Sequence, residues 1–317
     1  MTAADADIVA LGEPLYEFSE NSGQPRQYLQ GFGGDTMNAA IAAARQGAAV
    51  AYVTRLGDDE FGRQFLALWR EEGLDVSGVG IDREAPTGVY FIHYGAQGHV
   101  FSYLRAGSAA SRMRADQLPL DLIRSARFFH TSAISQAISA SACDAVFTAI
   151  ETARAAGVAV AYDSNLRLQL WPLARAKAVI TATVAMADYF LPSLDDVKAL
   201  CGLEQPEAIV DWCHRLGARH IALKLGADGV LASDGRSRQL IPGHKVECVD
   251  ATGAGDCFAG AFLARLAGGA DFWQAVRYGN AAAALTTTGF GAVAPLPRPA
   301  EINELLENGG VYSRVSS

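Results

Sequence analysis

The chain has 317 residues, of which 50% are hydrophobic and 19% charged, and its 26 Lys and Arg stand against 34 Asp and Glu for a net charge of −8. A chain of this length buries a large core, which excludes the small scaffolds that disulfides or metal ions hold together. The acidic balance argues against duplex DNA or RNA as a partner, because proteins that bind it normally carry a basic surface.

The N-terminal segment, the cysteines and the histidines indicate a soluble protein. The segment of residues 1–7 is short and acidic, and it lacks the basic and apolar regions of a signal peptide. The sequence has no uninterrupted stretch of about 18 apolar residues, so we expect no membrane span. Five scattered cysteines without a C-x-x-C pair are typical of free thiols, and six histidines lack the spacing of a zinc site. We therefore expect a cytoplasmic protein with no membrane partner.

Short apolar runs alternate with longer amphipathic stretches along the chain. The runs predict strands that are covered on both faces, and the stretches predict helices. Gly47, Gly73, Gly157 and Gly217 follow four of these helices, where a left-handed C-cap favours glycine. The alternation predicts an α/β fold with a mainly parallel sheet between helical layers. The predicted strands are residues 8–12, 49–55, 128–132, 158–163, 189–192 and 220–225, and the predicted helices are residues 37–46, 60–72, 141–156, 208–216 and 272–287.

Two segments, residues 13–30 and 88–104, break this alternation. The first mixes polar and apolar residues around Gly23 and Pro25. The second carries apolar and aromatic residues on both sides of a turn at residues 95–98, which is a hairpin signal; these residues are Val89, Phe91, Tyr94, Val100, Phe101 and Tyr103. We expect both segments to form a small antiparallel layer beside the main sheet, within one domain that spans residues 1–317.

The strongest functional signal is the segment Asp250-Ala-Thr-Gly-Ala-Gly-Asp256, which precedes an apolar helical run ending near residue 268. Gly253 and Gly255 allow a tight turn and the close approach of a ligand. The free N–H groups and the positive end of the helix attract a phosphoryl anion. Asp256 in the first turn would accept the proton of a hydroxyl that attacks a γ-phosphate. The alternative is an ordinary acidic residue in a first helical turn.

This segment lacks the G-K-[ST] of a P-loop and the third glycine of a dinucleotide fingerprint. Together with Gly33-Gly34-Asp-Thr-Met-Asn38, it resembles the two signatures of ribokinase-like (PfkB) sugar kinases. Residues 56–62, 223–229 and 291–297 are similar to further family segments, in the right order over nearly the whole chain. The resemblance implies an ATP-dependent sugar kinase with a three-layer α/β core and a β lid, which residues 13–30 and 88–104 match by position.

The resemblance also implies roles for single residues. Asp256 would be the catalytic base, and the backbone N–H groups of Gly253, Ala254 and Gly255 would form the anion hole for the transferring phosphoryl group. The implied contacts to the sugar and to the nucleotide are Gly34 and Asn38 against the substrate, Asn165 near the γ-phosphate, Ser193, Lys224, Gly226 and Gly229 along the nucleotide, and Asn280 in the adenine wall.

Two segments, Tyr103-Leu-Arg105 and Asp163-Ser-Asn165-Leu-Arg167, resemble 2-keto-3-deoxygluconate kinases in particular. A sugar acid carries a carboxylate, which Arg105 and Arg167 would bind through charge-assisted hydrogen bonds. Tyr90 and Tyr103 would cover the sugar from the lid. The structural alternatives are a solvated charge on an edge strand for Arg105 and a salt bridge to Asp163 for Arg167.

One segment departs from the family pattern Asn-x-x-Glu, which belongs to the network that places Mg²⁺. Ser193 and Asp196 occupy these two positions here. Because Asp is one methylene shorter than Glu, we expect Asp196 to hold Mg²⁺ only through water. A monovalent cation such as K⁺ near Gly291 is a further cofactor that some relatives suggest.

The predicted function is transfer of a phosphoryl group from ATP to 2-keto-3-deoxygluconate, giving its 6-phosphate. Fructokinase or another neutral-sugar kinase is the alternative within the family. A non-catalytic sugar- or nucleotide-sensing module and a dinucleotide oxidoreductase are alternatives from other classes. Phe91, Tyr94 and Phe101 on the lid predict a homo-oligomer that pairs lid to lid.

Overall fold

A computed structural model describes residues 6–20, 27–95 and 98–308. Gly23, Pro25, the centre of the turn at residues 95–98 and the side chain of Tyr94 lie outside what is described. The strands in these ranges, in chain order, are β1 (Ile8–Leu11), β2 (Leu15–Glu20), β3 (Tyr28–Gly33), β4 (Val50–Gly57), β5 (Val79–Asp82), β6 (Val89–Gly95), β7 (Gly98–Leu104), β8 (Phe128–Ser132), β9 (Ala159–Asp163), β10 (Tyr189–Phe190), β11 (His220–Lys224), β12 (Gly229–Ser233) and β13 (Arg238–Pro242).

The helices occupy both faces of the main sheet and pack their apolar sides against it. Short 3₁₀ turns lie at Ala110–Arg112, Ala115–Gln117 and Gly226–Asp228. The α-helices, in chain order, are α1 (Asp35–Arg45), α2 (Glu60–Glu71), α3 (Leu120–Ser125), α4 (Ala133–Ala137), α5 (Ala140–Ala155), α6 (Leu173–Val184), α7 (Leu194–Cys201), α8 (Pro206–Leu216), α9 (Ala254–Ala267), α10 (Phe272–Thr286) and α11 (Pro299–Glu307).

The main sheet has nine strands in the order β13-β12-β11-β10-β9-β8-β1-β4-β5. Neighbours from β11 through β5 pair in parallel, as expected for strands that are buried on both faces. One apolar cluster joins the sheet to α1, α2, α9, α10 and α11, and a second joins it to α3 through α8. The three-layer α/β core that the resemblance implies is confirmed.

The six predicted strands and five predicted helices are present, within a few residues at their ends. Gly47, Gly73, Gly157 and Gly217 all have the positive φ values of left-handed C-caps. Seven of the described elements were not predicted from the sequence: the strands β5, β12 and β13 and the helices α3, α4, α6 and α7. The antiparallel hairpin β12–β13 extends the sheet beyond its parallel part. In the turn of this hairpin, Asp234 Oδ1 accepts hydrogen bonds from the backbone N–H groups of Arg236 and Ser237.

A small sheet with the order β3-β2-β6-β7 forms the lid. It is mixed and not wholly antiparallel, because β2 pairs with β6 in parallel. One face packs on α2 through aromatic rings, with Tyr16 and Phe61 at 4.6 Å between centroids. Phe91 belongs to this face and stacks on Phe18 at 5.2 Å. The opposite face carries Tyr90, and it is the face that meets the candidate site.

Among the described helices, none combines the length and the apolar composition that crossing a bilayer requires.

Candidate active site

The candidate site lies at the edge of the main sheet where the parallel strands end. Strands β9 and β11 end at Asp163 and Lys224. Helices α1 and α9 begin at the same edge, after Gly34 and Gly253, whose φ values are 128° and 77°. Glycine favours such φ values, so both tight entries into a helix depend on this residue type. Strand ends and helix N-termini converge at the position where open α/β sheets bind ligands.

Close packing of α1 against α9 brings their first turns together. A Cβ at Gly260 of α9 would overlap the carbonyl oxygen of Ala39, so a larger residue there would separate the two helices. At the entry to both helices, Asn38 Nδ2 donates a hydrogen bond to Asp256 Oδ2 at 2.8 Å. The residues predicted as substrate contact and catalytic base are therefore direct neighbours.

The Asp256 carboxyl group has an altered acidity. Burial and, to a smaller extent, the nearby Asp35 carboxylate raise its pKa to about 7, whereas the Asn38 hydrogen bond opposes the shift. Asp163 and Lys224 also act on this group, with opposite signs. A carboxylate with a pKa near neutrality is suited to accept a proton from a hydroxyl group.

A buried ion pair stands beside this carboxylate. Lys224 Nζ donates to Asp163 Oδ2 at 2.6 Å, and the two side chains are only 14% and 7% exposed. Asp163 Oδ1 accepts the backbone N–H of Asn165 at 3.1 Å. Asn165 Nδ2 in turn donates to Asp35 Oδ2 at 3.0 Å. The structure thus brings two of the predicted nucleotide residues, Asn165 and Lys224, to the same site as Asp256.

The loop before α9 is held in shape by Asp250. Its Oδ1 accepts hydrogen bonds from the backbone N–H and the hydroxyl of Thr252, at 2.9 and 2.7 Å. Its Oδ2 accepts the N–H of Gly291 at 3.0 Å. A Cβ at Gly253 would stand 3.1 Å from the Cα of Ala292, so the loop after α10 closes over this turn. These contacts leave the N-terminal end of α9 with a fixed backbone shape.

Asp196, predicted to hold Mg²⁺ through water, also supports a loop. Its Oδ2 accepts hydrogen bonds from Ser164 Oγ at 2.9 Å and from the N–H of Leu166 at 3.1 Å. Residues 6–20, 27–95 and 98–308 contain no group of three His, Cys, Asp or Glu side chains that converge on a metal position. Asp196 remains a predicted water-mediated ligand of Mg²⁺.

Arg167 lies in the loop that Asp196 supports. Its side chain is exposed, and one guanidinium NH group donates to the carbonyl of Leu166 at 2.9 Å. The alternative of a salt bridge to Asp163 is wrong, because Asp163 pairs with Lys224. Arg167 therefore remains available to an anionic ligand at the edge of the site.

The remaining predicted nucleotide residues lie along β11 to β13 and α10. The backbones of Ser193 and Lys224 form an isolated parallel β-bridge. Gly226 has a φ of 63° and open space where a Cβ would stand, whereas a Cβ at Gly229 would overlap the carbonyl of Ile241. Asn280 is buried and donates from Nδ2 to the carbonyl of Pro242 at 2.8 Å. Hairpin packing thus accounts for Gly229 without a ligand, while Gly226 and Ser193 remain open to one.

The lid contributes Tyr90 and Tyr103, which stand opposite each other on β6 and β7 with ring centroids 5.8 Å apart. The Tyr90 hydroxyl donates a short hydrogen bond to Glu17. It also lies over Gly33, where a Cβ would stand 2.5 Å from it. Burial raises the pKa of both Glu17 and Tyr90, and the charges of Asp250 and Asp256 contribute to the respective shifts. The lid residues therefore face the start of α9.

Arg105 lies where the lid joins the core. It forms a buried ion pair with Glu13, whose other oxygen accepts from Ser108 Oγ at 3.0 Å. Its guanidinium also stands 5.5 Å from the ring centroid of Tyr103. The alternative of a solvated charge is wrong, because the Arg105 side chain is only 11% exposed. Its Nε is buried and has no hydrogen-bond partner among the described residues.

Three acidic residues that line this region, Glu13, Glu17 and Asp35, were not among the predicted site residues. A signal was present for two of them, because Glu13 interrupts the apolar run after β1 and Asp35 lies within the first quoted family segment. Asp35 Oδ1 and Asn38 Oδ1 are buried acceptors for which the described residues supply no donor. Unpaired buried acceptors are costly, so a ligand with hydroxyl groups would complement them.

Comparisons with known proteins identify the family of this chain. The family model of pfkB carbohydrate kinases matches residues 5–299. The chain is 36% identical over 309 residues to 2-dehydro-3-deoxygluconokinase of Thermoproteus tenax, covering 95% of this chain and 94% of the relative. It is 34% identical over 323 residues to Fructokinase-1 of Zea mays, covering 97% and 99%. Both relatives are sugar kinases by name, and their identities are too close to separate the two substrates.

A solved structure extends the likeness to three dimensions. Fructokinase from Vibrio cholerae, in a form with bound fructose, ADP and calcium ion, superposes with a TM-score of 0.86 at 26% identity. The match covers 95% of this chain and 99% of the other. The fold is therefore shared with a kinase whose structure contains a bound sugar and a bound nucleotide.

Proposed function

The chain belongs to the pfkB family of carbohydrate kinases, and from this premise we propose that it phosphorylates the terminal hydroxyl of 2-keto-3-deoxygluconate with ATP. The sugar-kinase activity follows from the family. The choice of a sugar acid rests on one observation, the buried Nε of Arg105, which lies beside Tyr103 and has no hydrogen-bond partner among the described residues. The relative from Thermoproteus tenax adds support.

We assign the chemical step to the residues at the start of α9. The N–H groups of Gly253, Ala254 and Gly255 would hold the transferring phosphoryl group, because a helix N-terminus offers free donors and a positive dipole end. Asp256 would accept the proton of the sugar hydroxyl as its oxygen attacks the γ-phosphorus. The bond from phosphorus to the bridging oxygen of ADP breaks at the same time. Asn38 orients the carboxylate through its 2.8 Å hydrogen bond.

The sugar would lie between the lid and α1. Gly34 and Asn38 would contact it from the core, and Tyr90 and Tyr103 would cover it. Asp35 Oδ1 and Asn38 Oδ1 would accept hydrogen bonds from its hydroxyl groups. Arg105 Nε and the exposed Arg167 would bind the carboxylate, since a guanidinium forms strong charge-assisted hydrogen bonds with it.

A neutral sugar such as fructose is the second candidate, and a specific observation favours it. Glu13 already neutralises Arg105, and Glu17 places another buried carboxyl group beside Tyr90. Both acidic groups would repel the carboxylate of a sugar acid. Fructokinase relatives at 34% identity fit this alternative.

The nucleotide would extend from α9 toward Asn165, Ser193, Lys224 and Gly226, with Asn280 near the adenine. Mg²⁺ is expected to accompany ATP and to neutralise phosphate charge, held by phosphate oxygens and, through water, by Asp196. K⁺ near Gly291 is a further predicted cofactor. We also place the protein in the cytoplasm.

Exposed apolar residues on the lid support the proposal that the protein forms a homo-oligomer. Leu29 and Phe101 are 62% and 42% exposed, and the strand register puts both on the face that carries Tyr90. An exposed apolar extension of a substrate-covering face is typical of a surface that a second copy covers. Sedimentation of the wild type and of Phe101→Ser tests this, with a dimer expected only for the wild type.

The test of the substrate is an ADP-release assay with 2-keto-3-deoxygluconate, fructose and ribose. We expect the highest kcat/KM with the sugar acid. Arg167→Ala, which leaves the buried core intact, should raise KM for the acid by about tenfold or more and leave KM for fructose unchanged. Arg124→Ala, another exposed arginine on α3, is the matched control. A preference for fructose that Arg167→Ala does not alter would overturn the sugar-acid assignment and favour the second candidate.

The test of the chemical step is Asp256→Asn. Turnover should fall by several orders of magnitude with every acceptor, while ADP binding and the fold remain. Activity close to that of the wild type would refute Asp256 as the base.

A further inference from the structure

We propose that Lys224 is a catalytic residue whose ammonium group contacts the transferring phosphoryl group, and that Asp163 positions it for this contact. The family resemblance only placed Lys224 along the nucleotide. The inference rests on the proposed binding of the phosphoryl group at the start of α9, and it holds for a sugar acid and for a neutral sugar alike.

The position of the ammonium group carries the argument. Lys224 Nζ stands 3.2 Å from the point where a Cβ of Gly255 would be, so it lies directly against the backbone whose N–H groups would hold the phosphoryl group. One of its three N–H donors is directed to Asp163 Oδ2 at 2.6 Å. The ammonium group is largely shielded from solvent, and the described residues accept only one of its donors. Beside a helix N-terminus, it is placed to bind phosphate oxygens.

The charges around this position require a cation. Asp35, Asp163 and Asp256 all lie close enough to interact, since the first two raise the pKa of the third and Lys224 lowers it. A phosphoryl group that entered among three carboxylates would meet strong repulsion in surroundings of low polarity. The Lys224 ammonium offsets this repulsion at the point where negative charge must be held.

The ammonium would act more strongly in the transition state than in bound ATP. As the bond from the γ-phosphorus to the bridging oxygen of ADP breaks and the bond to the sugar oxygen forms, the phosphoryl group moves toward the acceptor. A fixed cation aimed at its oxygens then raises kcat and not only affinity. Lys224 keeps its proton throughout, because the proton of the hydroxyl goes to Asp256.

Asp163 is a positioning residue in this arrangement. It ends β9, pairs with Lys224 through one oxygen and accepts the N–H of Asn165 through the other. The long lysine side chain would otherwise sample many rotamers, and the ion pair restricts it to one place. Gly255 completes the arrangement, because any side chain there would push against the ammonium group.

The experiment compares Lys224→Met with Lys198→Met, a lysine on α7 that also pairs with a carboxylate, Glu204, but lies outside the site. We measure kcat, KM for ATP, and binding of ADP with and without aluminium fluoride in the presence of the sugar. Lys224→Met should lower kcat by about 100-fold or more, a loss typical of removing one donor from an anion hole. Its ADP affinity should change by about threefold at most, and the extra affinity conferred by aluminium fluoride should disappear.

Two further variants keep the test valid if loss of the lysine destabilises the fold. Lys224→Met with Asp163→Asn removes both buried charges and should show the same loss of kcat. Lys224→Arg keeps the charge and should recover part of it. A rise in KM for ATP with unchanged kcat, or retention of the aluminium fluoride effect, would overturn the proposal. A fully active Asp256→Asn would instead contradict the proposed function itself.

Discussion

Asn38 and Asp256 are 218 positions apart in the chain, yet the amide of one donates a 2.8 Å hydrogen bond to the carboxylate of the other. The contact joins the two family segments, because one provides the first turn of α1 and the other the first turn of α9. Close packing at Gly260 makes it possible. The base is thus held by a neutral donor on one side while Asp35, three residues earlier on the same helix face, adds negative charge.

The acidity of Asp256 predicts the pH dependence of turnover. Because the carboxyl group must be ionised to accept a proton and its pKa lies at about 7, kcat/KM should rise through neutral pH and level off above it. Asp35→Asn removes a negative neighbour, so it should move this acid limb to lower pH. A pH profile of both enzymes with one acceptor measures the shift. An unmoved limb would mean that Asp35 does not act on the base.

Folding stability should respond to the same carboxyl group. A raised pKa means that the folded state holds the proton more tightly, so the contribution of Asp256 to stability falls as pH rises from about 4 to about 7. Asp256→Asn should therefore stabilise the protein at pH 8, by about 4 kcal/mol at most because each pKa unit corresponds to about 1.36 kcal/mol, and have little effect near pH 4. Denaturant unfolding at both pH values provides the measurement, and equal effects at both would contradict it.

Much of the fold follows from local sequence patterns. Apolar runs and amphipathic periods identify the strands and helices of the parallel core, because burial on both faces imposes that composition. The same patterns do not predict the hairpin β12–β13 at the end of the sheet. One of its two strands, β13, is mostly exposed, so the hairpin lacks the continuous apolar runs of the parallel strands. The mixed pairing in the lid was also beyond local patterns, because β2 and β6 are far apart in the chain.

The site was predictable where its motifs are contiguous. Asp256 and the glycines before it stand in one segment, so spacing and resemblance identify them. The ion pair of Glu13 with Arg105 could not be identified in this way, because β1 and the end of the lid meet only in the folded chain. The ion pair of Asp163 with Lys224 could not be predicted either. The two residues end β9 and β11, which lie near each other only in the folded sheet.

The pair of Glu13 and Arg105 should matter for stability as well as for the substrate. Burial raises the pKa of Glu13 and the guanidinium opposes the shift, so removing Arg105 leaves a buried carboxyl group without compensation. Arg105→Ala should lower the free energy of unfolding by about 3–5 kcal/mol at neutral pH. Adding Glu13→Gln should recover part of this loss. Urea unfolding of the single and double variants tests the coupling, and additive losses would rule it out.

Gly253 should be required for its backbone conformation and for its space. At a φ of 77° a side chain is strained, and its Cβ would also press on Ala292 at 3.1 Å. Gly253→Ala should cost about 1–2 kcal/mol of stability and most of the turnover. Gly47→Ala is the matched control, since Gly47 has a φ of 88° with nothing within 4 Å of a Cβ. Equal kcat losses in the two variants would show that strain alone is responsible.

Glu17 should set the balance between acidic and neutral sugars. Its carboxyl group is buried on the lid face that meets the site, hydrogen-bonded to Tyr90, and its negative form would repel a substrate carboxylate. Glu17→Gln keeps a hydrogen-bonding group and removes the charge. We expect the ratio of kcat/KM for 2-keto-3-deoxygluconate to that for fructose to rise by about tenfold, as for relief of a close like-charge contact. Glu20→Gln, which removes the same charge from the opposite face of β2, should leave the ratio unchanged. A ratio that responds equally to both variants would point to net charge and not to a contact in the site.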